Sequence, residues 1–229
     1  MSKEKVFLDV GINLGQTLIK VKAVHQAIHY IGFEPNPQCV CYTNEVIKAN
    51  AFGNTEIFPV GIGEQSTILK LNLFSDSDHD SAASVVEDFR GPERVKKSIN
   101  VPIFSGSDLP INTDSEIGII KIDVEGAELE VLKGLKDQID ADRPFVMIEI
   151  LPVYNRKNQQ RLERQNEIQK LLSQWDYSIF RVIKSDDKFI DLIEIDSFEV
   201  HSDLNLCEYI LTPNERKSKL VRALTVTDK

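Results

Sequence analysis

Val6-Phe-Leu-Asp-Val-Gly-Ile-Asn-Leu-Gly15 is the stretch that decides the fold. An apolar run meets Asp9 and passes at once into a turn holding Gly11 and Gly15. This reads as a strand feeding a glycine-rich loop and then a helix. Glycine lets the backbone turn sharply and approach another group with no Cβ in the way. The helix that follows points its free N–H groups back at whatever the loop holds.

Twenty-three residues beyond Gly11 comes Ile31-Gly-Phe-Glu34-Pro-Asn-Pro37, a second strand ending in an acid. In dinucleotide-type folds a carboxylate at that place accepts hydrogen bonds from ribose hydroxyls. Loop and acid together point to a pocket for an adenosine-bearing cofactor. Pro35 cannot extend a central ladder, so the chain leaves the sheet there. Asn36 is then placed to cap the next helix.

Apolar runs and helical stretches alternate along the rest of the chain. Strands are expected at about 5–10, 27–34, 55–61, 67–74, 99–104, 117–123, 144–151, 177–184, 189–195 and 207–212. Helices are expected at about 14–23, 37–50, 126–138 and 158–174. Nearly continuous apolar strands alternating with helices imply an α/β fold with a mostly parallel sheet covered on both faces. Ligands of such sheets bind outside the carboxyl ends of the strands. Asp9, Glu34, Asp123 and Glu149 all fall at such ends and are expected along one sheet edge. The segment 75–98 is rich in Asp and Ser and breaks the alternation between 67–74 and 99–104. It reads as a hairpin-like insertion carrying a lid. The amphipathic helix at 158–174 reads as a cover with a solvated face. The tail after Pro213 is charged and peripheral.

The chain has 229 residues, of which 41% are hydrophobic. That is enough for one large domain with a real core. No apolar run approaches the ~20 residues that span a bilayer. The first residues enter a strand almost immediately, leaving no room for a signal peptide, so the expected location is the cytoplasm. A net charge of −9 repels phosphate backbones and argues against nucleic acid as substrate. Cys39, Cys41 and Cys207 lack the spacing of a zinc or redox site. They are expected to be small buried hydrophobes, and no metal is assigned.

A third segment carries chemistry: Lys121-Ile-Asp-Val-Glu-Gly-Ala-Glu128, followed by Val131-Leu-Lys-Gly134. Residues two apart on a strand share a face, so Lys121 and Asp123 sit together, with Glu125 near them if the extended path continues. A strand lysine is expensive to bury unpaired, and Asp123 or Glu149 is its expected partner. Glu128 reads as a charge in the first turn of the next helix.

Taken in order, Asp9-Val-Gly-Ile-Asn-Leu-Gly15, Phe33-Glu-Pro-Asn-Pro37 and Lys121-Ile-Asp-Val-Glu-Gly-Ala-Glu128 resemble the FkbM-type family of class I S-adenosylmethionine-dependent methyltransferases. The resemblance covers about residues 5–151 and, more loosely, the C-terminal strands. It departs at Ile12, where the family more often has Ala. It implies a Rossmann-like fold with a mostly parallel seven-stranded sheet, helices on both faces and a hairpin insertion. The domain would run over 1–213, with 75–98 as a lid or mobile loop and 214–229 as tail.

The resemblance implies S-adenosyl-L-methionine as cofactor, held by Asp9, Gly11, Asn13, Gly15, Glu34, Val60, Gly61 and Asp123. Glu34 would take the ribose, Val60 and Gly61 the adenine, and Asp9 and Asp123 the amino end. Lys121, Asp123, Glu125 and Glu149 are the candidate catalytic residues, with His79 and Tyr154 as candidates for acceptor contact. The implied reaction is O-methylation of a small molecule or saccharide, with neither nucleic acid nor membrane as partner. Two rival readings are weighed. An NAD-dependent oxidoreductase would want G-x-G-x-x-G, an order that Asn13 and Leu14 break. A non-catalytic cofactor-binding protein on the same scaffold is the other.

Overall fold

The central strands form because their side chains are apolar on both faces. Phe7, Leu8 and Val10 in the first strand are all at most 5% exposed, as are Tyr30, Ile31 and Phe33 in the second. A computed structural model describes residues 4–86, 91–111, 115–186 and 188–225. The chain separates into two compact units, Met1–Asp142 and Arg143–Lys229.

In the first unit, β1 (Lys5–Val10) leads into α1 (Gln16–Val24), β2 (His29–Phe33), α2 (Pro37–Asn50) and β3 (Thr55–Phe58). Then come β4 (Gly61–Ile62), β5 (Thr67–Leu73), β6 (Lys97–Phe104), β7 (Glu116–Ile122), α3 (Glu128–Gly134) and α4 (Lys136–Asp142). The main strands are parallel in the order β7-β1-β2-β3, so their carboxyl ends line one edge. Register sets Asp9 opposite Lys121 on one side and Gly32 on the other. β5 and β6 pair antiparallel, as a hairpin should, and β4 joins β6 in parallel to make a small second sheet. Phe7, Leu18 and Tyr30 form a buried cluster on one face of the main strands, closed by Val21, Ile47 and Ile119.

Among the described residues of this unit, one lysine is buried. Lys22 is 2% exposed, and its ammonium donates to the carbonyls of Ile28 and Gly53 at 2.7 Å and of Asn54 at 3.1 Å. It ties the turn before β2 to the turn before β3. Burial holds its pKa below the usual lysine value.

The second unit holds β8 (Phe145–Glu149), α5 (Gln159–Gln174), β9 (Tyr177–Ser185), β10 (Lys188–Ile195), β11 (Glu208–Pro213) and α6 (Lys217–Thr225). Its four strands run β10-β9-β11-β8, antiparallel at β10/β9, β9/β11 and β11/β8.

Every expected strand is present, but four local expectations change. Pro59 and a turn in which Val60 N–H bonds to Phe58 O split the 55–61 run into β3 and β4. The helix expected at 126–138 becomes α3 and α4, broken at Leu135. Gly134 closes α3 where a Cβ would lie 2.1 Å from Gly63 O. The tail after Pro213 contains α6. Cys39 and Cys207 are buried, but Cys41 is exposed. Cys39 and Cys41 are two apart on α2 and so lie on opposite sides of the helix.

Candidate functional site

The carboxyl ends of β1, β2 and β7 are drawn together by backbone hydrogen bonds. Gly11 N–H bonds to Phe33 O at 2.9 Å, and Asp123 N–H bonds to Val10 O at 3.0 Å. Gly11 lies at φ +86°, and a Cβ there would come within 1.9 Å of Asp123 O. No other residue type fits that crossing without moving the main chain. Asn13 follows at φ 51° and Gly15 at φ +81°, which completes the turn into α1. Thr43 of α2 bonds to Asn13 O at 3.1 Å and fixes the loop from behind.

These strand ends border a cavity enclosing about 640 Å³, part of it open to solvent. Gly11, Asn13, Glu34, Asp123 and Glu125 supply its polar side. Ile62, Leu71 and Ile103 supply apolar wall, and Ala83 and Val85 of the insertion face them.

Glu34 is 8% exposed, and its two oxygens accept from Asn13 N–H at 2.9 Å and Asn36 N–H at 2.8 Å. Each oxygen retains acceptor capacity for a further donor. Burial lifts its pKa above the usual carboxylate range, against the lowering pull of the two N–H bonds. Asn36 caps α2, accepting from Gln38 N–H at 3.1 Å, as its place before Pro37 predicts. Its amide also donates to Asp78 O at 2.8 Å, joining the helix start to the insertion.

Asp9 is fully buried. It accepts from the Tyr30 hydroxyl and, at 3.2 Å, from the Lys121 ammonium. Burial raises its pKa, and Lys121 opposes the rise. Lys121 also donates to Gly11 O at 3.2 Å and stands 3.4 Å from the Asp123 carboxylate. Burial works against its charge, but Asp9 and Asp123 outweigh that and hold its pKa high. The sequence singles out Asp123 or Glu149 as the lysine's partner; its partners in the first unit are Asp9 and Asp123.

The extended path does not continue to Glu125. That residue has φ 51° and Gly126 has φ 108°, so the chain turns sharply before α3. Both Asp123 and Glu125 nonetheless border the cavity. Glu128 is 6% exposed, and its carboxylate accepts from Gly126 N–H at 2.7 Å. It is a local cap for the turn as well as a first-turn charge.

The insertion is held in place by specific bonds. Asp80 accepts from the N–H groups of Phe74 at 2.5 Å, Ser75 at 2.8 Å and Ala82 at 3.0 Å. Ser84, fully buried, exchanges backbone hydrogen bonds with Asn72 and donates its hydroxyl to Glu125 O at 2.7 Å. Burial of Asp80 opposes its charge, but the backbone donors win and hold its pKa below the usual range. A depressed folded value gives stability that is complete above the unfolded value and lost as pH falls through the folded one. Asp80→Asn is therefore expected to cost ~1–2 kcal/mol at neutral pH. The difference from the native chain should vanish in acid, as urea unfolding at several pH values will measure.

The remaining candidates are placed as follows. Gly61 borders the cavity at the start of β4 and Val60 lies just before it; Gly15 sits behind the first loop. His79 is exposed and meets the Tyr42 ring edge-on at 6.0 Å. Glu149 ends β8, and Tyr154 lies in the following loop of the second unit with Arg161 over its ring. His29 lies 2.7 Å from Glu56. Sequence reasoning passed over Tyr30, Asp80 and Ser84. Tyr30 carried a faint signal, a hydroxyl in an otherwise apolar strand. Ser84 carried none.

The family model for the methyltransferase FkbM domain matches residues 9–179. The crystal structure of methyltransferase FkbM from Methylobacillus flagellatus KT is similar, with 17% identity and a TM-score of 0.54. The match covers 92% of this chain and 43% of that one, so the chain spans less than half of that protein's length. A provisionally assigned rRNA-methylase from Clostridium thermocellum matches at 8% identity and a TM-score of 0.50, covering 92% and 86% of the two chains. Precorrin-6y C5,15-methyltransferase from Geobacter metallireducens GS-15 matches at 14% identity and a TM-score of 0.40, covering 93% and 80%. The first two likenesses, at TM-scores of 0.54 and 0.50, establish the class I methyltransferase fold. No curated protein sequence gives a significant match.

Proposed function

The chain belongs to the FkbM methyltransferase family, and from that premise we propose that it transfers a methyl group from S-adenosylmethionine to a hydroxyl of a small molecule or sugar. The observation that carries the cofactor assignment is Asn13 Oδ1, a buried acceptor with no hydrogen-bond partner, on a residue that borders the cavity. A buried acceptor left unpaired is costly, and an ammonium or amide donor would satisfy it. The other groups fit the same molecule. Glu34 offers acceptor capacity to ribose hydroxyls. Asp123, its side chain 40% exposed, offers a carboxylate to an ammonium. Ile62, Leu71 and Ile103 offer apolar wall to a purine.

The bound cofactor supplies a sulfonium methyl group with an excellent leaving group. The protein's share of catalysis is therefore alignment and exclusion of water. Ala83 and Val85, packed against the Leu71, Leu73, Val101 and Ile103 cluster and bordering the cavity, serve the second purpose, which supports a lid role for the described part of 75–98; residues 87–90 lie outside the described residues. A hydroxyl acceptor must lose its proton, and Glu125, bordering the cavity, is the proposed base. The family match crosses Asp142, which supports treating both units as one methyltransferase domain. The net charge of −9 favours a neutral acceptor over nucleic acid.

Thermal unfolding with S-adenosylhomocysteine or NAD tests the cofactor. A rise with the first and none with the second is expected, and the reverse would overturn the assignment. Methyl-labelled cofactor offered with saccharides, other hydroxyl compounds, amines and RNA tests the acceptor. Label on a hydroxyl compound is expected; label confined to amines or RNA would contradict the proposal.

A further inference from the structure

We infer that Tyr30, Asp9 and Lys121 are positioning residues, a buried hydrogen-bonded chain that holds the Asp123 carboxylate in place for the ammonium group of a ligand. The inference rests on the reading of the cavity as the S-adenosylmethionine site.

Exposure rises in order along this chain. Tyr30 and Asp9 are fully buried, the Lys121 side chain is 16% exposed, and the Asp123 side chain is 40% exposed. Only Asp123 borders the cavity. Asp9 is fully buried, does not border the cavity and has one oxygen on the Tyr30 hydroxyl and the other on Lys121, so it has no direct route to a ligand. Lys121 has three N–H groups and three oxygen neighbours: Asp9, Gly11 O and Asp123. It is committed, and it does not reach for an acceptor itself.

The charges add to a purpose. One ammonium lies between two carboxylates, which leaves one negative charge, and Asp123 presents it at the open end. A cationic amino group is the complement. For stability alone the arrangement is a poor choice, because a largely buried ion pair such as Asp9–Lys121 recovers its desolvation cost only with excellent geometry. Register supplies that geometry. Asp9 faces Lys121 across the β1/β7 ladder. Tyr30 lies on β2 opposite Phe7, with their rings stacked at 5.7 Å.

The charged and titratable neighbours of Asp9 among the described residues are Tyr30 on β2, Glu34 just beyond it, Lys121 on β7 and Asp123 after it. Protonating Asp9 would leave Lys121 opposed by Asp123 alone and remove the surplus negative charge. Affinity for an ammonium-bearing ligand should then fall. Removing the Tyr30 hydroxyl withdraws a donor from the ionised carboxylate and makes that protonation easier.

Calorimetric titration with S-adenosylhomocysteine from about pH 5 to 8 provides the test. The native chain, Asp123→Asn, Tyr30→Phe and Asp9→Asn are compared, each with its apo thermal unfolding. Asp123→Asn is expected to weaken binding at least ~10-fold. Native-like binding in that variant would overturn the site reading itself. Tyr30→Phe keeps the ring stack and is expected to weaken binding ~3- to 10-fold, moving the acid loss of affinity to higher pH. A weakened Asp123→Asn beside a Tyr30→Phe of native affinity and native pH profile would overturn the positioning inference alone. If Tyr30→Phe does not fold, Asp9→Asn decides. Weak binding that no longer follows Asp9 protonation supports the inference, and a native profile overturns it.

Discussion

Gly11→Ala is expected to destabilise the protein by ~2–5 kcal/mol and to abolish binding of S-adenosylhomocysteine. Two costs add. At φ +86° a side chain carries the left-handed penalty of ~1–2 kcal/mol. The new methyl group would also sit 1.9 Å from Asp123 O, a main-chain atom that cannot swing aside. Asp123 and the loop after it must then move, and the cavity border moves with them. Gly15→Ala is the internal control. Its φ is +81°, but the nearest atom to the added Cβ is Thr43 Cγ2 at 3.4 Å, an ordinary contact. Only the backbone penalty of ~1–2 kcal/mol is expected there. Urea unfolding of the two variants beside the native chain measures the difference.

The contrast between these glycines marks what a sequence can and cannot disclose. Their spacing announces the turn, because left-handed backbone is a local requirement. That Gly11, and not Gly15, lies against the main chain just past β7, at Asp123, depends on a contact 112 residues away. The same division runs through the site. Glu34, Asp123 and the Asn36 cap were legible because each is written into its own strand end or helix start. The late start and the splitting of 126–138 were not, because the first follows from left-handed Glu125 and the second accompanies Gly134 packing against Gly63. Asp9 was legible as important but misread in part. Its burial beneath Lys121 and Tyr30 is set by the register of three strands, so it backs the cavity and does not border it. Ser84 was invisible, since a serine in a polar segment gives no hint that it will be buried against the Glu125 carbonyl.

Glu34→Ala is the second variant expected to act strongly on binding. Two charge-assisted hydrogen bonds to ribose hydroxyls, at ~1.5–3 kcal/mol each, correspond to a loss of affinity of ~100-fold or more. Stability should fall as well, by ~2–4 kcal/mol, because the N–H groups of Asn13 and Asn36 both lose their acceptor. Glu34→Gln separates the two effects. An amide keeps the shape and one acceptor oxygen but turns a donor toward one of the two N–H groups. It should therefore recover part of the stability and little of the affinity. Calorimetric titration with S-adenosylhomocysteine, with thermal unfolding of each apo variant, gives both numbers.

The central claim is that acids at the ends of neighbouring strands in the first unit surround a nucleoside whose attached amino-acid end carries a positively charged ammonium. A crystal structure of the chain with S-adenosylhomocysteine tests it most directly. The account predicts ribose hydroxyls within hydrogen-bond reach of the Glu34 carboxylate, with the ligand's amino group beside Asp123 and Asn13. A nucleoside bound elsewhere, with Glu34 still holding only the Asn13 and Asn36 N–H groups, would contradict it.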